Sequence, residues 1–238
     1  MTRFHKEIVT CPFCASDEEV VIWDVLDVSA DPDLKERLLT KRCQVLECQN
    51  CGEESILARP LVYVDPEARL LLVWRPELAE FEETEPDTPL DGRPESLLNL
   101  PAGLDAALLP QLDGLAPAEG DAACWRLRLL SGYNALLEKI HAFGAGLDDR
   151  ILEIVKLALT ARYADEEDLF FEAMHLLAAR GGLMLLQVLE RERGWQTLEI
   201  SMELYDNAYD LLIERMPAEG QWQRIDGRFA RRFVTAAG

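Results

Sequence analysis

Two short cysteine motifs, Cys11-Pro12-Phe13-Cys14 and Cys48-Gln49-Asn50-Cys51-Gly52, decide the fold of the first part of this chain. In each motif two residues separate the cysteines, and 33 residues lie between Cys14 and Cys48. A C-x₂-C turn directs both of its sulfurs toward one point, so two such turns complete a tetrahedral shell of four sulfurs. The sequence therefore predicts one structural Zn²⁺ per chain, with Cys11, Cys14, Cys48 and Cys51 as its ligands.

Other interpretations of the cysteines remain open at this point. A single C-x-x-C can be a redox dithiol, which is expected at a strand-to-helix junction, whereas strand patterns flank both pairs here. An iron–sulfur cluster also takes four cysteines, but cluster motifs usually group three of them closely. A complete four-cysteine shell leaves no open coordination position, so catalytic zinc is not expected. The remaining cysteines, Cys43 and Cys124, are predicted to pack as small apolar side chains.

The residues around the two motifs have a β-rich pattern with one inserted helix. The β-branched and aromatic run Val20–Leu26 predicts a strand. Asp31-Pro32 predicts the start of a helix that ends at Leu39, with Asp31 as its N-cap. Ile56–Val64 and Leu70–Trp74 predict a hairpin. Residues 1–78 are therefore predicted to form a zinc-ribbon-like β domain with an inserted helix.

A strongly acidic segment follows this domain. The chain has 24 Lys plus Arg against 44 Asp plus Glu, a formal net charge of −20. Residues 81–120 contribute −8, from one basic and nine acidic side chains, and they hold 6 of the 12 prolines. Because proline disfavours helix interiors and central strands, residues 79–120 are predicted to form an acidic, Pro-rich linker or arm.

The last block, residues 121–238, mixes helix and strand patterns. Apolar spacing predicts a long helix over 122–143 and a second helix capped by Asp148 or Asp149. Three strands and two further helices are predicted in this block: strands at Leu169–Phe171, Met184–Leu189 and Thr197–Ser201, and helices at Met202–Met216 and after Asp226. The predicted fold class is α+β, with a C-terminal helical domain around a small antiparallel sheet.

The first 75 residues resemble the CpXC protein family, a prokaryotic group named for its Cys-Pro-x-Cys signature. The resemblance rests on these segments: Val9–Cys14, Asp31–Leu39, Cys48–Gly52 and Pro60–Asp65. Gly146–Arg150 and, more loosely, Trp222–Asp226 are similar to the C-terminal part of longer members. The sequence departs from the family pattern in the Gln-Asn between its second pair of cysteines and in Ala15, which replaces the usual glycine. The resemblance implies the fold and the metal site, and the family implies no particular activity.

Composition and motifs favour a protein-binding role. The N-terminus has no apolar region of the signal-peptide type and no apolar run is long enough to span a bilayer, so a cytoplasmic protein without a membrane partner is expected. A chain this acidic is not expected to bind nucleic acid, which requires a concentrated basic face. The leading hypothesis is therefore a zinc-binding interaction or regulatory module with a protein partner.

Two alternatives belong to other functional classes. An enzyme would need an acidic active site in the C-terminal domain, gathering Asp148, Asp149 or His175, although the sequence contains no nucleophile or phosphate-binding motif and predicts no catalytic residue. A nucleic-acid-binding zinc ribbon would depend on the basic C-terminal stretch that contains Arg228, Arg231 and Arg232.

Overall fold

The computed structural model describes residues 2–78, 125–220 and 222–237, and in them the chain is a mixed α+β protein with five α-helices. The strands are β1 Arg3–Thr10, β2 Asp17–Asp27, β3 Val45–Glu47, β4 Glu54–Ile56, β5 Leu61–Asp65, β6 Leu70–Trp74, β7 Arg126–Leu130, β8 Phe171–Arg180, β9 Leu183–Glu190, β10 Gly194–Ser201 and β11 Trp222–Gln223. The helices are α1 Asp33–Leu39, α2 Tyr133–Gly144, α3 Asp149–Glu167, α4 Met202–Leu212 and α5 Gly227–Ala237, with a 3₁₀ turn at Ile213–Arg215. None of these helices is long and apolar enough to cross a membrane.

The chain divides into two compact units. The first contains residues up to Tyr133 together with Glu219–Gln223, and the second contains Asn134–Ala218 and the residues from Arg224 onward. The predicted boundaries at 78 and 121 enclose the acidic arm at 79–120, which lies outside the described residues, so they stay predictions. The first unit also includes β7 and β11, two strands from the block that the sequence assigned to the C-terminal domain.

A mixed six-stranded sheet, in the order β1-β2-β5-β6-β7-β11, forms the centre of the first unit. The predicted hairpin is present as β5 and β6, which pair antiparallel and are buried throughout. Its first strand begins at Leu61 rather than at Ile56, which is the last residue of β4. The sheet buries one apolar cluster: Val25, Val62, Val64, Leu71, Val73, Leu78, Leu127, Leu129 and Trp222. A separate two-stranded sheet pairs β3 with β4.

The helix predicted over 122–143 is wrong in its first half. Residues 126–130 form β7, which pairs parallel with β6, and the helix begins only at Tyr133. Leu127 and Leu130 suit the spacing of a helix face, but both are buried as strand residues. The Arg128 guanidinium is also buried, and it donates to both carboxylate oxygens of Glu219 at 2.9 and 2.7 Å. Pairing with β6 and this distant carboxylate outweigh the local helix pattern.

The inserted helix begins slightly later than predicted. It runs from Asp33, and the carbonyl oxygen of Asp31, rather than its carboxylate, accepts the N–H of Leu34 at 3.2 Å. Pro32 is the residue that precedes the first turn, and no side chain caps it. Leu34 and Leu38 are buried at helical spacing, as the sequence predicts.

The second unit packs helices against a small antiparallel sheet of order β10-β9-β8, which confirms the predicted class for this part of the chain. Its first strand was predicted over Leu169–Phe171 but begins at Phe171 and continues to Arg180. Asp148 is the N-cap of α3, as predicted, since its carboxylate accepts the N–H of Arg150 at 2.9 Å. The core lies between α3, α4 and the buried side chains of β9, which are Met184, Leu186 and Val188.

Candidate metal centre

Each C-x₂-C motif forms the turn of an antiparallel hairpin. Cys11 and Cys14 lie between β1, which ends at Thr10, and β2, which begins at Asp17. Cys48 and Cys51 lie between β3, which ends at Glu47, and β4, which begins at Glu54. The strand pairing on both sides of each turn fixes where its sulfurs point.

The two turns have the same backbone hydrogen bonds. The N–H of Ala15 donates to the carbonyl of Cys11 at 3.0 Å, and the N–H of Gly52 donates to that of Cys48 at 2.8 Å. The N–H groups of Cys11 and Cys48 in turn donate to the carbonyls of Ser16 and Glu53, at 2.8 and 3.0 Å. The two motifs are therefore one structural unit used twice.

The alanine at position 15, where the second turn has Gly52, leaves this geometry intact. Ala15 adopts a φ of 59° and Gly52 a φ of 75°, so both occupy the left-handed region at the same position of the turn. A non-glycine residue in that region costs about 1–2 kcal/mol because its Cβ crowds the following carbonyl. The first turn accepts this strain and still directs both of its sulfurs to the cluster.

The four sulfurs are close enough to share one ion. All four Sγ atoms lie within 4.8 Å of one another. Sγ of Cys11 is 3.8 Å from Sγ of Cys51, and Sγ of Cys14 is 3.5 Å from Sγ of Cys48. A tetrahedral ion with metal–sulfur bonds of about 2.3 Å requires sulfur separations of about 3.8 Å. The cluster therefore fits a tetrahedral S₄ site with little adjustment.

Hydrogen-bond donors surround the sulfurs. The Ser16 hydroxyl lies 3.2 Å from Sγ of Cys14 and 3.2 Å from Sγ of Cys48, and the N–H of Phe13 donates to Sγ of Cys11 at 3.4 Å. Hydrogen bonds from Asn50 and then from Ser16 lower the pKa of Cys14 to about 5. These donors stabilise thiolate, the form of cysteine that binds metal.

The four thiols do not all ionise equally readily. The backbone N–H of Glu53 favours the thiolate of Cys51, but partial desolvation and the adjacent sulfurs Cys48, Cys14 and Cys11 raise its pKa to about 12. Like charges within a few ångströms of each other oppose further ionisation. A bound cation would offset this repulsion, so four thiolates at this spacing are suited to holding a metal ion.

One side of the cluster is continuous with an apolar core. Cys11 and Cys48 are only 2% and 1% exposed, whereas Cys51 is exposed to solvent. A small core packs around the two buried cysteines: Ile22, Leu46 and Leu57, with Val9 and Val20 at its margin. The hairpins that carry the cysteines therefore depend on the same contacts that bury the sulfurs.

Cys43, Cys124 and His5 also carry groups that can bind a metal ion. Cys43 is fully buried outside the cluster, as predicted, and burial raises its pKa to about 11. Its carbonyl accepts the hydroxyl of Tyr133 at 2.8 Å. Cys124 lies outside the described residues. The imidazole of His5 lies 2.9 Å from the carboxylate of Asp24 and does not join the sulfur cluster.

The sequence did not predict a second cluster, a buried group of charged side chains in the second unit. Its central members are Glu138 and Lys139 of α2 and Glu153 and Lys156 of α3, all of them buried. Lys156 donates to Glu138 at 2.8 and 3.0 Å and to Glu153 at 2.9 Å, and Lys139 donates to Glu153 at 2.9 Å. The available signal was that these charges lie among the apolar positions of two predicted helices.

This group, called the ion network below, also contacts the sheet. The carboxylate of Glu138 accepts the backbone N–H of Leu176 at 2.8 Å. Among the described residues β8 is the last strand of its sheet, so this N–H lies on an edge where no described strand pairs with it. Burial raises the pKa of Glu138, against the effect of Lys156. Burial also favours a higher pKa for Glu153, but the positive charges of Lys139 and Lys156 have the larger effect and lower this pKa to about 2.

Two of the candidate catalytic residues lie beside the ion network, and the third lies apart from it. The carboxylate of Asp149 is 3.4 Å from Nζ of Lys139, and Nδ1 of His175 is 3.8 Å from the carboxylate of Glu138. Asp148 instead caps α3 and pairs with the guanidinium of Arg150. All three side chains thus have partners within the protein, and these contacts correspond to capping and packing roles.

The basic C-terminal stretch has its own local pairing. Asp226 caps α5 as predicted, because its carboxylate accepts the N–H groups of Arg228 and Phe229 at 2.9 and 3.1 Å. The same carboxyl group pairs with Nε of Arg224 at 3.0 Å. Arg231 and Arg232 lie on the exposed side of α5. No nucleic-acid partner is expected, and this stays a prediction.

The fold and the site define a mixed α+β protein with a four-cysteine cluster that can hold a metal ion. A family model described as CpXC protein matches residues 9–156, more than half of the 238 residues, and the chain belongs to this family. The match includes both cysteine pairs and ends within α3, at Lys156. Comparison with curated proteins and with solved structures gave no match.

Proposed function

We propose that Cys11, Cys14, Cys48 and Cys51 bind one Zn²⁺ as a structural site in a zinc-ribbon-like domain. The observation that carries the proposal is the pair of equivalent turns that bring four sulfurs within 4.8 Å of one another. Zinc suits such a site because it is tetrahedral, prefers thiolate ligands and is not redox-active. The ion would crosslink the β1–β2 and β3–β4 hairpins, which no continuous sheet joins.

Elemental analysis of the natively purified chain tests this assignment. We expect about one zinc per chain, and we expect the double substitution Cys48→Ser/Cys51→Ser to abolish it because two sulfurs cannot complete the shell. The matched control is Cys43→Ala, which removes a buried cysteine outside the cluster and should leave the zinc content unchanged. Iron with visible absorption, or a metal-free native protein, would contradict the proposal.

We propose further that the protein is a cytoplasmic interaction or regulatory module that binds another protein. Phe13, between the first two cysteines, is 60% exposed, and Ile8, three residues before Cys11, is 72% exposed. Exposed apolar groups near one another favour a protein-binding surface over a solvated one. The acidic segment at 81–120 adds a charge of −8 that a basic partner would recognise.

Crosslinking in cells followed by mass spectrometry tests the interaction role. The test compares the native chain with a variant in which the nine carboxylates of 81–120 become amides. Deleting the segment is unsuitable, because β6 and β7 are parallel neighbours and their connection needs about a dozen residues or more. We expect a reproducible protein partner for the native chain. If no partner appears while a metabolite screen finds substrate turnover, the enzyme interpretation replaces this one.

A further inference from the structure

The outer strand of the six-stranded sheet has no buried residue: five of its eight residues are exposed and three are half-buried. β1 is first in the order β1-β2-β5-β6-β7-β11, so among the described residues it pairs with a strand on one side only. Its eight residues contain no proline, and the features of β1 that discourage edge pairing are Lys6 and the register shift between Arg3 and Phe4. An edge strand of this length presents a row of backbone N–H and C=O groups that can pair with another strand.

One face of this edge is apolar. Phe4 and Ile8 lie on the same side of β1 because side chains alternate along a strand, and they are 58% and 72% exposed. On β2, Trp23 lies opposite Phe4, with ring centroids 5.3 Å apart, and Val21 lies opposite Lys6. Lys6 is the only charge of β1 on this face, and it pairs with Glu19 of β2.

We propose that β1 pairs antiparallel with β1 of a second copy of this chain, forming a two-fold symmetric dimer through a continuous sheet. This dimer is an interaction separate from the basic protein partner proposed above, and it does not depend on that role. A two-fold axis perpendicular to the sheet keeps each side chain on its own face, so residues of the same parity must oppose one another.

The sequence of β1 is self-complementary in the register centred on Lys6. In this register Phe4 of one copy opposes Ile8 of the other, twice by symmetry, and apolar cross-strand pairs stabilise a sheet. On the opposite face, His5 of one copy opposes Glu7 of the other, and within each chain these two side chains already contact Asp24 and Arg59. The register centred on Glu7 instead aligns Lys6 with Ile8 and Phe4 with Thr10, and each of its two axial carboxylates has Arg59 of its own chain beside it. The register centred on Lys6 therefore places more of the apolar side chains opposite one another.

Two like charges meet on the axis in the favoured register, because Lys6 opposes Lys6. Each ammonium already has the carboxylate of Glu19 beside it on its own chain, which reduces their repulsion. The pair of Lys6 side chains on the axis provides a specific test. A chain carrying Lys6→Glu should pair better with the native chain than either does with itself, because the axis would then hold one positive and one negative charge.

Analytical ultracentrifugation of the full-length protein over a range of concentrations tests the dimer. We expect a reversible dimer whose dissociation constant rises at least about tenfold with Ile8→Lys, because a symmetric interface uses the changed residue twice. Leu211→Lys is the matched control, since Leu211 is 77% exposed but lies on α4 in the other unit. Circular dichroism and zinc content measured on the same samples establish that each variant is folded.

Native mass spectrometry of a mixture of isotope-labelled native chain and the Lys6→Glu variant then tests the register. Heterodimer in excess of random mixing supports it. Random mixing, a monomer at every concentration, or an equal response to Ile8→Lys and Leu211→Lys would overturn the proposal. A monomer that retains its zinc refutes the dimer alone, whereas loss of zinc from the native chain refutes the metal assignment instead.

Discussion

Removing the metal from the native protein is expected to unfold the β3–β4 hairpin and the end of the β1–β2 hairpin while leaving β5 and β6 folded. The sulfurs of Cys11 and Cys48 belong to the small core that contains Leu46 and Leu57. Without the ion, the three-residue strands β3 and β4 are stabilised by their pairing with each other and by this small core. A structural zinc contributes about 10–16 kcal/mol of apparent binding free energy in small zinc domains. The pairing of one short hairpin does not provide enough stabilising free energy to replace this contribution.

Hydrogen exchange measured by mass spectrometry resolves this local effect. After chelation, we expect backbone protection to fall sharply over residues 45–56 and to change little over residues 61–74, whose strands have an apolar core of their own. Cys48→Ser should reproduce the pattern without a chelator, and Cys43→Ala should not. Unchanged protection over 45–56 in the metal-free protein would show that the cluster does not stabilise this hairpin.

The sequence predicts the cluster well because its information is local. Two residues between cysteines, with strand patterns on either side, are enough to specify a hairpin turn whose sulfurs converge. The separation of 33 residues between the pairs did not matter, because β2, helix α1 and β3 occupy most of it. Ala15, in place of a glycine, does not change the turn: it adopts the same left-handed backbone conformation as Gly52, with some strain.

The failures concern residues whose environment is set by distant parts of the chain. Arg128 lies in a buried strand because Glu219, 91 residues later, neutralises it and β6 pairs with it. Nothing in the local pattern around Arg128 indicates either partner, so the spacing of Leu127 and Leu130 predicts a helix instead. Glu138 and Lys156 are 18 residues apart in sequence, and they likewise meet only when α2 packs against α3. Ion pairs of this kind depend on tertiary structure and leave only a weak mark on the sequence.

Breaking the ion network is expected to have the largest effect of any single substitution in the second unit. Glu138→Ala removes both oxygens that receive Lys156 and also the acceptor of the Leu176 N–H on the edge of β8. A buried charge that loses its partner destabilises a protein by about 3–5 kcal/mol. The free energy of local opening, measured by hydrogen exchange over β8 and β9, should fall by this order.

Two further variants separate the loss of charge from the loss of contact. Glu138→Gln keeps an oxygen that can accept from Leu176, so it should destabilise the unit less than Glu138→Ala does. Glu166→Ala removes a carboxylate of α3, the helix that carries Lys156. Glu166 pairs with Arg162 at 2.9 Å in solvent, and an exposed pair of this kind contributes about 0–1 kcal/mol. If Glu138→Ala proved as mild as Glu166→Ala, Lys156 would be adequately neutralised by Glu153 alone. The burial of four charges between α2 and α3 would then not depend on the carboxylate that joins them to the sheet.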